Sequence, residues 1–168
     1  MSDQDLPAGP DLVIARASAA GLMIATAESL TGGALVSRLV DVPGASRCLA
    51  GGAACYSYTA KSRVLGVDAA MLERDGAVNE ATARQMAEGA LDAYAADVAV
   101  STTGVAGPGP DGRGVPAGTV HIAVARRGGG TRALVLQLDG DRTEVRAQAV
   151  AAALDALARA LPKVPATA

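Results

Sequence analysis

The spacing of apolar and polar positions predicts helices and strands in alternation along the chain. Apolar residues recur at helical spacing over 11–20, and Gly21 follows as a residue suited to the end of a helix. The apolar run at 22–28 predicts a short buried strand, and 34–42 returns to the helical period after a polar turn that contains two glycines. The opening pattern is therefore helix, strand, loop and helix, with the loop at the carboxyl end of the strand.

The rest of the chain continues this alternation. Residues 49–58 are an ambiguous strand because they are small and poor in β-branched side chains, and a helix is predicted to follow with Thr59 as its cap. The clearest helical pattern covers 80–96, and 96–104 is typical of a buried strand that ends in polar residues and glycine. Beyond it the sequence predicts a Gly- and Pro-rich loop, two strands of a hairpin and a final helix: 104–118, 118–126, 131–138 and 143–161.

The chain has the size of one domain. At 168 residues it is long enough to bury a core without disulfides or a structural metal. We expect a flexible N-terminal segment over 1–10, one domain over 11–161 and a loose tail over 162–168. No apolar run reaches the roughly 18 residues that a bilayer crossing needs, and the first residues are acidic and polar, unlike a signal peptide. The expected location is the cytoplasm, with no membrane partner.

Charge and aromatic content argue against a nucleic-acid partner. The formal net charge is −2, and the 15 basic residues are scattered without forming a stripe. The chain contains no Phe or Trp and only three Tyr, which removes the stacking platforms of a single-strand binder. Cys48 and Cys55 are expected to be reduced and buried, since neither belongs to a motif with zinc spacing. A small-molecule substrate is the better expectation.

A lysine is the most economical candidate for a general base. His121, the only histidine, lies within the apolar segment TVHIAV, where a packed or edge strand residue is expected. A lysine can act as a base where burial lowers its pKa, and Lys61 falls at a strand-to-helix junction. Ser46 lies upstream in the turn PGAS, where Gly44 can adopt a backbone angle that exposes the hydroxyl. Spacing alone favours the plainer alternative of an ordinary turn serine and a surface lysine.

Two loops rich in hydroxyl groups and glycine follow predicted strands. They are AESLTGG at 27–33 and STTGVAGPG at 101–109. Such a loop offers backbone N–H groups to a phosphate at the positive end of the next helix, although Thr and Gly also cap helices in proteins that bind nothing. Because open α/β sheets bind ligands at the carboxyl ends of their strands, the two loops together favour a nucleotide site.

Several motifs in one order resemble a known family. They are TAESLTGG, DVPGAS, YSYTAK, GAV, TTGVAGP, GTV and GDR, at 26–33, 41–46, 56–61, 76–78, 102–108, 118–120 and 140–142. Together they resemble the nicotinamide-nucleotide amidases, a family that also forms the carboxy-terminal domain of the CinA competence/damage-inducible proteins. The resemblance extends from about Leu12 to Leu161.

The resemblance implies a fold, an activity and a set of site residues. The implied fold is a three-layer α/β/α sandwich with a mixed central sheet. The implied reaction is hydrolysis of nicotinamide mononucleotide to nicotinate mononucleotide and ammonia, with no metal and no cofactor, by a homo-oligomer. By similarity, Ser46 is the nucleophile, Lys61 its general base and Tyr56 the third member of the hydrogen-bonded group. The implied substrate contacts are Glu28, Ser29, Thr31, Gly32, Gly33, Thr103, Gly104 and Arg142.

This chain departs from the family pattern around the implied site. The family often has Cys at the position of Leu30 and Asn-Glu at the positions of Tyr58 and Thr59. It commonly has Lys before a proline where this chain has Val115. These departures leave two alternatives open, a nucleotide-binding module without turnover and an amidase for a related small nucleotide. A stand-alone form, without the larger amino-terminal domain of the longer CinA proteins, is expected.

Overall fold

The structure is a computed structural model that describes residues 8–163. Residues 1–7 and 164–168, which belong to the predicted N-terminal segment and tail, lie outside the described part. The strands are β1 (Ile24–Glu28), β2 (Leu49–Ala54), β3 (Val98–Gly104), β4 (Thr119–Arg126) and β5 (Thr131–Gln137). The α-helices are α1 (Pro10–Ala20), α2 (Ala34–Val40), α3 (Tyr58–Leu65), α4 (Ala69–Asp75), α5 (Glu80–Ala93) and α6 (Arg142–Ala160), and a short 3-10 helix covers Ala45–Arg47.

One mixed sheet runs through the molecule in the strand order β2-β1-β3-β4-β5. β1 pairs in parallel with both β2 and β3, whereas β4 and β5 continue the sheet in antiparallel pairs. In this register Glu28 lies level with Ala54 on one side and with Thr102 on the other. The carboxyl ends of the three parallel strands therefore meet at one edge of the sheet, the edge at which open α/β sheets bind ligands.

Helices cover both faces of the sheet and bury two separate hydrophobic clusters. On one face α1, α2 and α6 pack against side chains that include Ile24, Val100 and Ile122. On the other face α3, α4 and α5 pack against the alternate strand positions, which include Ala25 and Ala123. The expected three-layer α/β/α sandwich with a mixed sheet is confirmed. Within residues 8–163, no helix is both long enough and apolar enough to cross a membrane.

Side-chain caps set the beginnings of the two helices that face this sheet edge. Ser57, rather than the predicted Thr59, is the cap of α3, and its hydroxyl accepts the backbone N–H of the residue before Lys61. At α6, Asp141 and the glutamate three residues later form a reciprocal capping box. Lys61 and Arg142 therefore both lie in the first turn of a well-capped helix.

Two short elements are absent from the sequence-based prediction. α4 has seven residues and the 3-10 helix has three, which is too short for a helical period to distinguish them from a loop. The start of α4 is fixed locally, because the Asp68 carboxylate accepts the backbone N–H groups of Ala70 and Met71. Neither element changes the layer order or the sheet edge at which the site lies.

Candidate active site

Lys61 is buried at the edge where the parallel strands end. Its side chain is 1% exposed, and it enters the site from the first turn of α3, which follows β2. The Nζ atom lies 2.8 Å from Ser29 Oγ, 2.8 Å from the Cys55 carbonyl oxygen and 3.2 Å from the Tyr56 carbonyl oxygen. An ammonium group donates three hydrogen bonds, and these acceptors satisfy all of them.

Burial makes this lysine a usable base. Removal from water lowers the pKa of Lys61 from 10.5 to about 8, and the neighbouring Cys55 opposes part of the shift. The neutral amine keeps two N–H groups, which the two carbonyl oxygens accept, so its lone pair faces Ser29 Oγ. Ser29 is therefore placed to give its proton to Lys61.

The backbone around Ser29 is held by both neighbouring strands. Ser29 N–H donates to the Thr102 carbonyl oxygen, and Cys55 N–H donates to the Glu28 carbonyl oxygen, so strand pairing continues beyond β1. Gly32 N–H then donates to the Ser29 carbonyl oxygen and closes a tight turn. Because Ser29 is 8% exposed and its backbone is bonded on both sides, its hydroxyl is held at a defined, largely enclosed position.

The structure does not bring Ser46 to Lys61. Ser46 is exposed on the 3-10 helix before β2, and Leu49 at the start of β2 pairs with Ile24 at the start of β1. Lys61 lies beyond the other ends of these parallel strands. A full strand length, on the order of 15 Å, therefore separates Ser46 from Lys61. The predicted pair is therefore corrected: Ser29 replaces Ser46 as the hydroxyl bonded to Lys61.

Glu28 supports the loop after β1 from within the protein. Its carboxylate is 0% exposed and accepts the backbone N–H groups of Gly33, Leu35 and Val36 at 2.8 to 3.0 Å. Gly32 and Gly33 have φ of 60° and 94°, which favours glycine, and a glycine cap has no side chain with which to bind these N–H groups. Glu28 therefore caps α2, and the expected phosphate site at this helix start is corrected because its N–H groups are occupied.

Replacing Glu28 by glutamine is expected to destabilise the protein by about 2–4 kcal/mol, because a charged acceptor of three buried N–H groups becomes a neutral amide that also brings two donors. Urea unfolding, monitored by circular dichroism, measures the free energy of unfolding. Glu144→Gln is the matched control, since that exposed carboxylate also caps a helix by accepting a backbone N–H. Its expected cost is below about 1 kcal/mol. Equal costs for the two variants would contradict the capping role of Glu28.

Two threonines expected in the pocket also bond within the protein. Thr31 Oγ1 lies 2.8 Å from Thr102 Oγ1, and Thr103 Oγ1 donates to the Ala77 carbonyl oxygen at 2.7 Å. All three threonine side chains are buried. The expectation that the side chains of Thr31 and Thr103 contact the substrate is corrected, because their hydroxyl groups are already paired in the interior, where they hold the loops together.

A cleft of about 210 Å³ is lined by Tyr56, Arg142 and the loop 104–111, and it adjoins the buried pair through Tyr56, whose carbonyl oxygen accepts from Lys61. Arg142 donates to the Gly107 carbonyl oxygen at 2.9 Å and to the Tyr56 hydroxyl at 3.3 Å. Tyr56 is 67% exposed, and its carbonyl oxygen is one of the acceptors of the lysine. Of the predicted site residues, Tyr56, Gly104 and Arg142 therefore line an accessible cleft next to the buried pair.

The histidine and the cysteines occupy the positions expected of structural residues. His121 lies within β4, where burial lowers its pKa against the opposing effect of Glu80. Cys48 and Cys55 are free thiols and both are buried, as predicted. Burial raises the pKa of the Cys55 thiol, which disfavours the reactive thiolate. The serine and the lysine are therefore the candidate nucleophile and base at this sheet edge.

The prediction includes Ser29 in the pocket but misses its pairing with the lysine, and it misses Arg146. The sequence carries a signal for the position of Ser29. Successive strand residues point to opposite faces of a sheet, so Glu28 points toward α2 and Ser29 toward α3, the helix that carries Lys61. Arg146 donates to the carbonyl oxygens of the two residues after Ser29 at 2.9 and 3.0 Å. Since it follows Arg142 by one helical turn, both arginines face this edge of the sheet.

Fold and site together define a three-layer α/β protein with a buried serine–lysine pair at the carboxyl edge of its parallel strands. A family model described as the CinA C-terminal domain matches residues 9–161, and the chain belongs to this family. A CinA-like protein from Mycolicibacterium vanbaalenii is 46% identical over 142 residues, which are 84% of this chain and 34% of that protein. A CinA-like protein from Mycobacterium tuberculosis is 43% identical over 145 residues, which are 86% of this chain and 34% of that protein.

Solved structures of the same superfamily share the fold over most of the chain. A CinA superfamily protein from Enterobacter cloacae has a TM-score of 0.88 at 33% identity and covers 96% of this chain and 97% of its own. A competence/damage inducible protein from Agrobacterium tumefaciens has a TM-score of 0.83 at 39% identity, with 88% and 92% covered. This chain spans about a third of the length of the curated relatives, at 34%, but nearly the full length of these structural neighbours.

Proposed function

We propose that this domain is an amidohydrolase that converts nicotinamide mononucleotide to nicotinate mononucleotide and ammonia. The observation that carries the proposal is the 2.8 Å contact between Ser29 Oγ and the Nζ atom of the buried Lys61. A buried ammonium is costly to desolvate, and a lysine with a pKa of about 8 next to a serine is suited to proton transfer. The pair supports a serine–lysine hydrolase, and the family resemblance supports the substrate.

In the first half of the reaction, Ser29 Oγ attacks the carboxamide carbon while neutral Lys61 accepts the hydroxyl proton. The carboxamide oxygen becomes the oxyanion of a tetrahedral intermediate. The carbon–nitrogen bond then breaks, and Lys61, now an ammonium, returns the proton to the departing nitrogen. Ammonia leaves, and the substrate remains as an ester on Ser29.

In the second half, water takes the place of ammonia. Lys61, neutral again, accepts a proton from water as the water oxygen attacks the ester carbon. The ester bond to Ser29 then breaks, the serine oxygen regains the proton, and nicotinate mononucleotide leaves. The carbonyl oxygens of Cys55 and Tyr56 hold the lysine in one position throughout, because its N–H groups bond them in either protonation state.

The cleft supports the nucleotide part of the proposal. The substrate carries a phosphate at the end remote from its carboxamide, and Arg142 is a cationic side chain lining the cleft. Its guanidinium bonds two neutral oxygen atoms, those of the Gly107 carbonyl and the Tyr56 hydroxyl. A phosphate dianion is a stronger acceptor than either, so we assign the phosphate to Arg142.

Arg142→Gln is expected to raise KM for nicotinamide mononucleotide about 10- to 100-fold while kcat falls less than about 3-fold, because the lost bond to a charged group contributes equally before and during the reaction. Steady-state ammonia release measures both constants. Arg126→Gln serves as the control, since that arginine bonds the Ala160 carbonyl oxygen away from the cleft. A large fall in kcat with KM unchanged would contradict the assignment of the phosphate.

Ammonia release by the purified protein tests the proposed reaction, with nicotinamide riboside as a substrate that lacks the phosphate and with and without a chelator. The expected result is release from the mononucleotide, a kcat/KM at least about 10-fold lower for the riboside and no effect of the chelator. Binding of the mononucleotide without release would instead support a nucleotide-binding module. We further propose that the protein is cytoplasmic and that it forms a homo-oligomer. Light scattering of the purified protein measures the oligomeric state directly.

A further inference from the structure

Arg146 clamps the turn that follows Ser29. From α6, its Nε donates to the Leu30 carbonyl oxygen at 2.9 Å and its Nη2 donates to the Thr31 carbonyl oxygen at 3.0 Å. Two neighbouring N–H groups of one planar guanidinium thus bind two consecutive carbonyls, a geometry that a lysine ammonium does not reproduce. The side chain reaches a turn more than a hundred residues away along the chain, and it carries a charge that the catalytic steps above do not use.

The clamped peptide lies next to the nucleophile. Residues 29–32 form a turn closed by the Gly32 N–H and the Ser29 carbonyl oxygen, and the peptide bond between Leu30 and Thr31 is at its centre. In a planar trans peptide the N–H and C=O groups point in opposite directions. Because the Leu30 carbonyl oxygen points toward Arg146, the Thr31 N–H points away from α6.

The Thr31 N–H points to the face of the sheet from which Lys61 reaches Ser29. α6 and α3 lie on opposite faces of the sheet, and Lys61 reaches Ser29 from the α3 side. Among residues 8–163, the Thr31 N–H has no hydrogen-bond acceptor. It is therefore available to the oxyanion that forms when Ser29 attacks a carbonyl carbon, and the cation bonded to the same peptide strengthens it as a donor.

We propose that Arg146 is a positioning residue, which holds the peptide bond between Leu30 and Thr31 so that the Thr31 N–H stabilises the oxyanion on the substrate. The inference rests on the proposed amidase function and adds to it a source for the oxyanion donor. Donors of this kind act through their fixed orientation, and a displacement of about 1 Å lowers the rate on the order of 100-fold. Arg146 itself does not touch the substrate.

The test compares Arg146→Met, Arg146→Lys and a matched control, Arg127→Met. Arg127 also donates to two backbone carbonyl oxygens, those of Ala96 at 2.9 Å and Leu91 at 2.6 Å, but it lies at the opposite edge of the sheet. Loss of either arginine therefore removes two bonds to backbone carbonyls, and loss of Arg127 also removes a long, exposed ion pair with Asp92 at 3.5 Å. The free energy of unfolding of each variant shows how far the two substitutions differ in their cost to stability. Only Arg146 is bonded to the turn at Ser29.

The expected result for Arg146→Met is a fall in kcat of about 100-fold with KM changed less than about 3-fold, while Arg127→Met keeps the wild-type kcat. The pH at half-maximal rate stays the same, because Lys61 is not touched. Arg146→Lys, with a single point contact, is expected to be intermediate. Millimolar guanidinium ion, too dilute to unfold the protein, is expected to restore turnover partly in Arg146→Ala but to leave Arg127→Ala unchanged. Equal effects of the Arg146 and Arg127 substitutions on kcat would overturn the proposal.

A second readout separates this inference from the proposed substrate. The rate at which a fluorophosphonate labels Ser29, followed by mass spectrometry, depends on the nucleophile and the oxyanion donor but not on nicotinamide mononucleotide. If the wild type labels but does not hydrolyse the mononucleotide, the proposed substrate fails, and slower labelling of Arg146→Met than of Arg127→Met still supports the role of Arg146. If the two variants label equally, the role of Arg146 fails. If the wild type neither labels nor hydrolyses, both proposals fail.

Discussion

Ser29→Ala is expected to lower ammonia release from nicotinamide mononucleotide by at least about 10⁴-fold, whereas Ser46→Ala stays within about 2-fold of the wild type. The reason is geometric. Ser29 Oγ lies 2.8 Å from the Lys61 Nζ atom, while Ser46 precedes β2 and lies at the opposite end of the parallel strands. Within residues 8–163, Ser29 supplies the only hydroxyl that Lys61 contacts. The substitution to alanine therefore removes the attacking oxygen.

The same experiment includes a binding measurement. Ser29→Ala is expected to bind nicotinamide mononucleotide with an affinity near that of the wild type by calorimetry, because the substitution leaves the cleft of Tyr56 and Arg142 unchanged. Circular dichroism checks that both serine variants are folded. The assignment is wrong if Ser46→Ala is inactive and folded while Ser29→Ala retains turnover.

Lys61→Met is expected to lower kcat by at least about 10³-fold, because Lys61 is the base that contacts the Ser29 hydroxyl within residues 8–163. For the wild type, the neutral amine is the active form, so kcat/KM rises with pH and reaches half of its plateau near the lowered pKa of Lys61 in the free protein, about 8. At pH 7.5 roughly a quarter of the molecules carry the neutral amine. The pH–rate profile measures this midpoint, and a rate that falls as the pH rises from 7 to 9 would contradict the role of Lys61 as a base.

The lowered pKa of Lys61 also makes the free energy of unfolding depend on pH. Between pH 8 and 10.5 the unfolded chain holds a proton on Lys61 that the folded protein has released, so the stability of the wild type relative to Lys61→Met rises with pH across this window. Below pH 8 both states are protonated and the difference is constant. The total rise is at most about 3 kcal/mol, from the size of the shift. Urea unfolding of the two proteins at several pH values measures it.

Much of the fold follows from local patterns in the sequence. The helical period over 80–96 and the uninterrupted apolar character of 96–104 predict α5 and β3, because long or fully buried elements carry a strong signal. The predicted cap of α3, Thr59, is wrong, since Ser57 offers the same hydroxyl two residues earlier. Local patterns identify elements well and their ends less well.

The serine of the pair was not predicted because spacing along the chain is a poor guide to distance across a parallel sheet. Ser46 is fifteen residues from Lys61 along the chain, and Ser29 is thirty-two residues away. The connection through α2 returns the chain to the start of β2, which separates Ser46 from Lys61 by a strand length and brings the ends of β1 and β2 together. Glu28 shows a similar effect, because a carboxylate beside a glycine-rich loop has the pattern of a ligand contact, and only the fold reveals the three N–H groups that it caps.

Mapping the covalent ester is the most direct test of the serine–lysine mechanism. Tryptic cleavage after Arg38 and Arg47 places the two candidate serines on different peptides, 17–38 for Ser29 and 39–47 for Ser46. The protein is mixed with saturating nicotinamide mononucleotide, quenched in acid over a series of times and analysed by mass spectrometry. The mechanism predicts the mass of the substrate less ammonia on peptide 17–38, with none in Ser29→Ala. The same mass on peptide 39–47, or ammonia release with no mass added to 17–38 at any time, would contradict it.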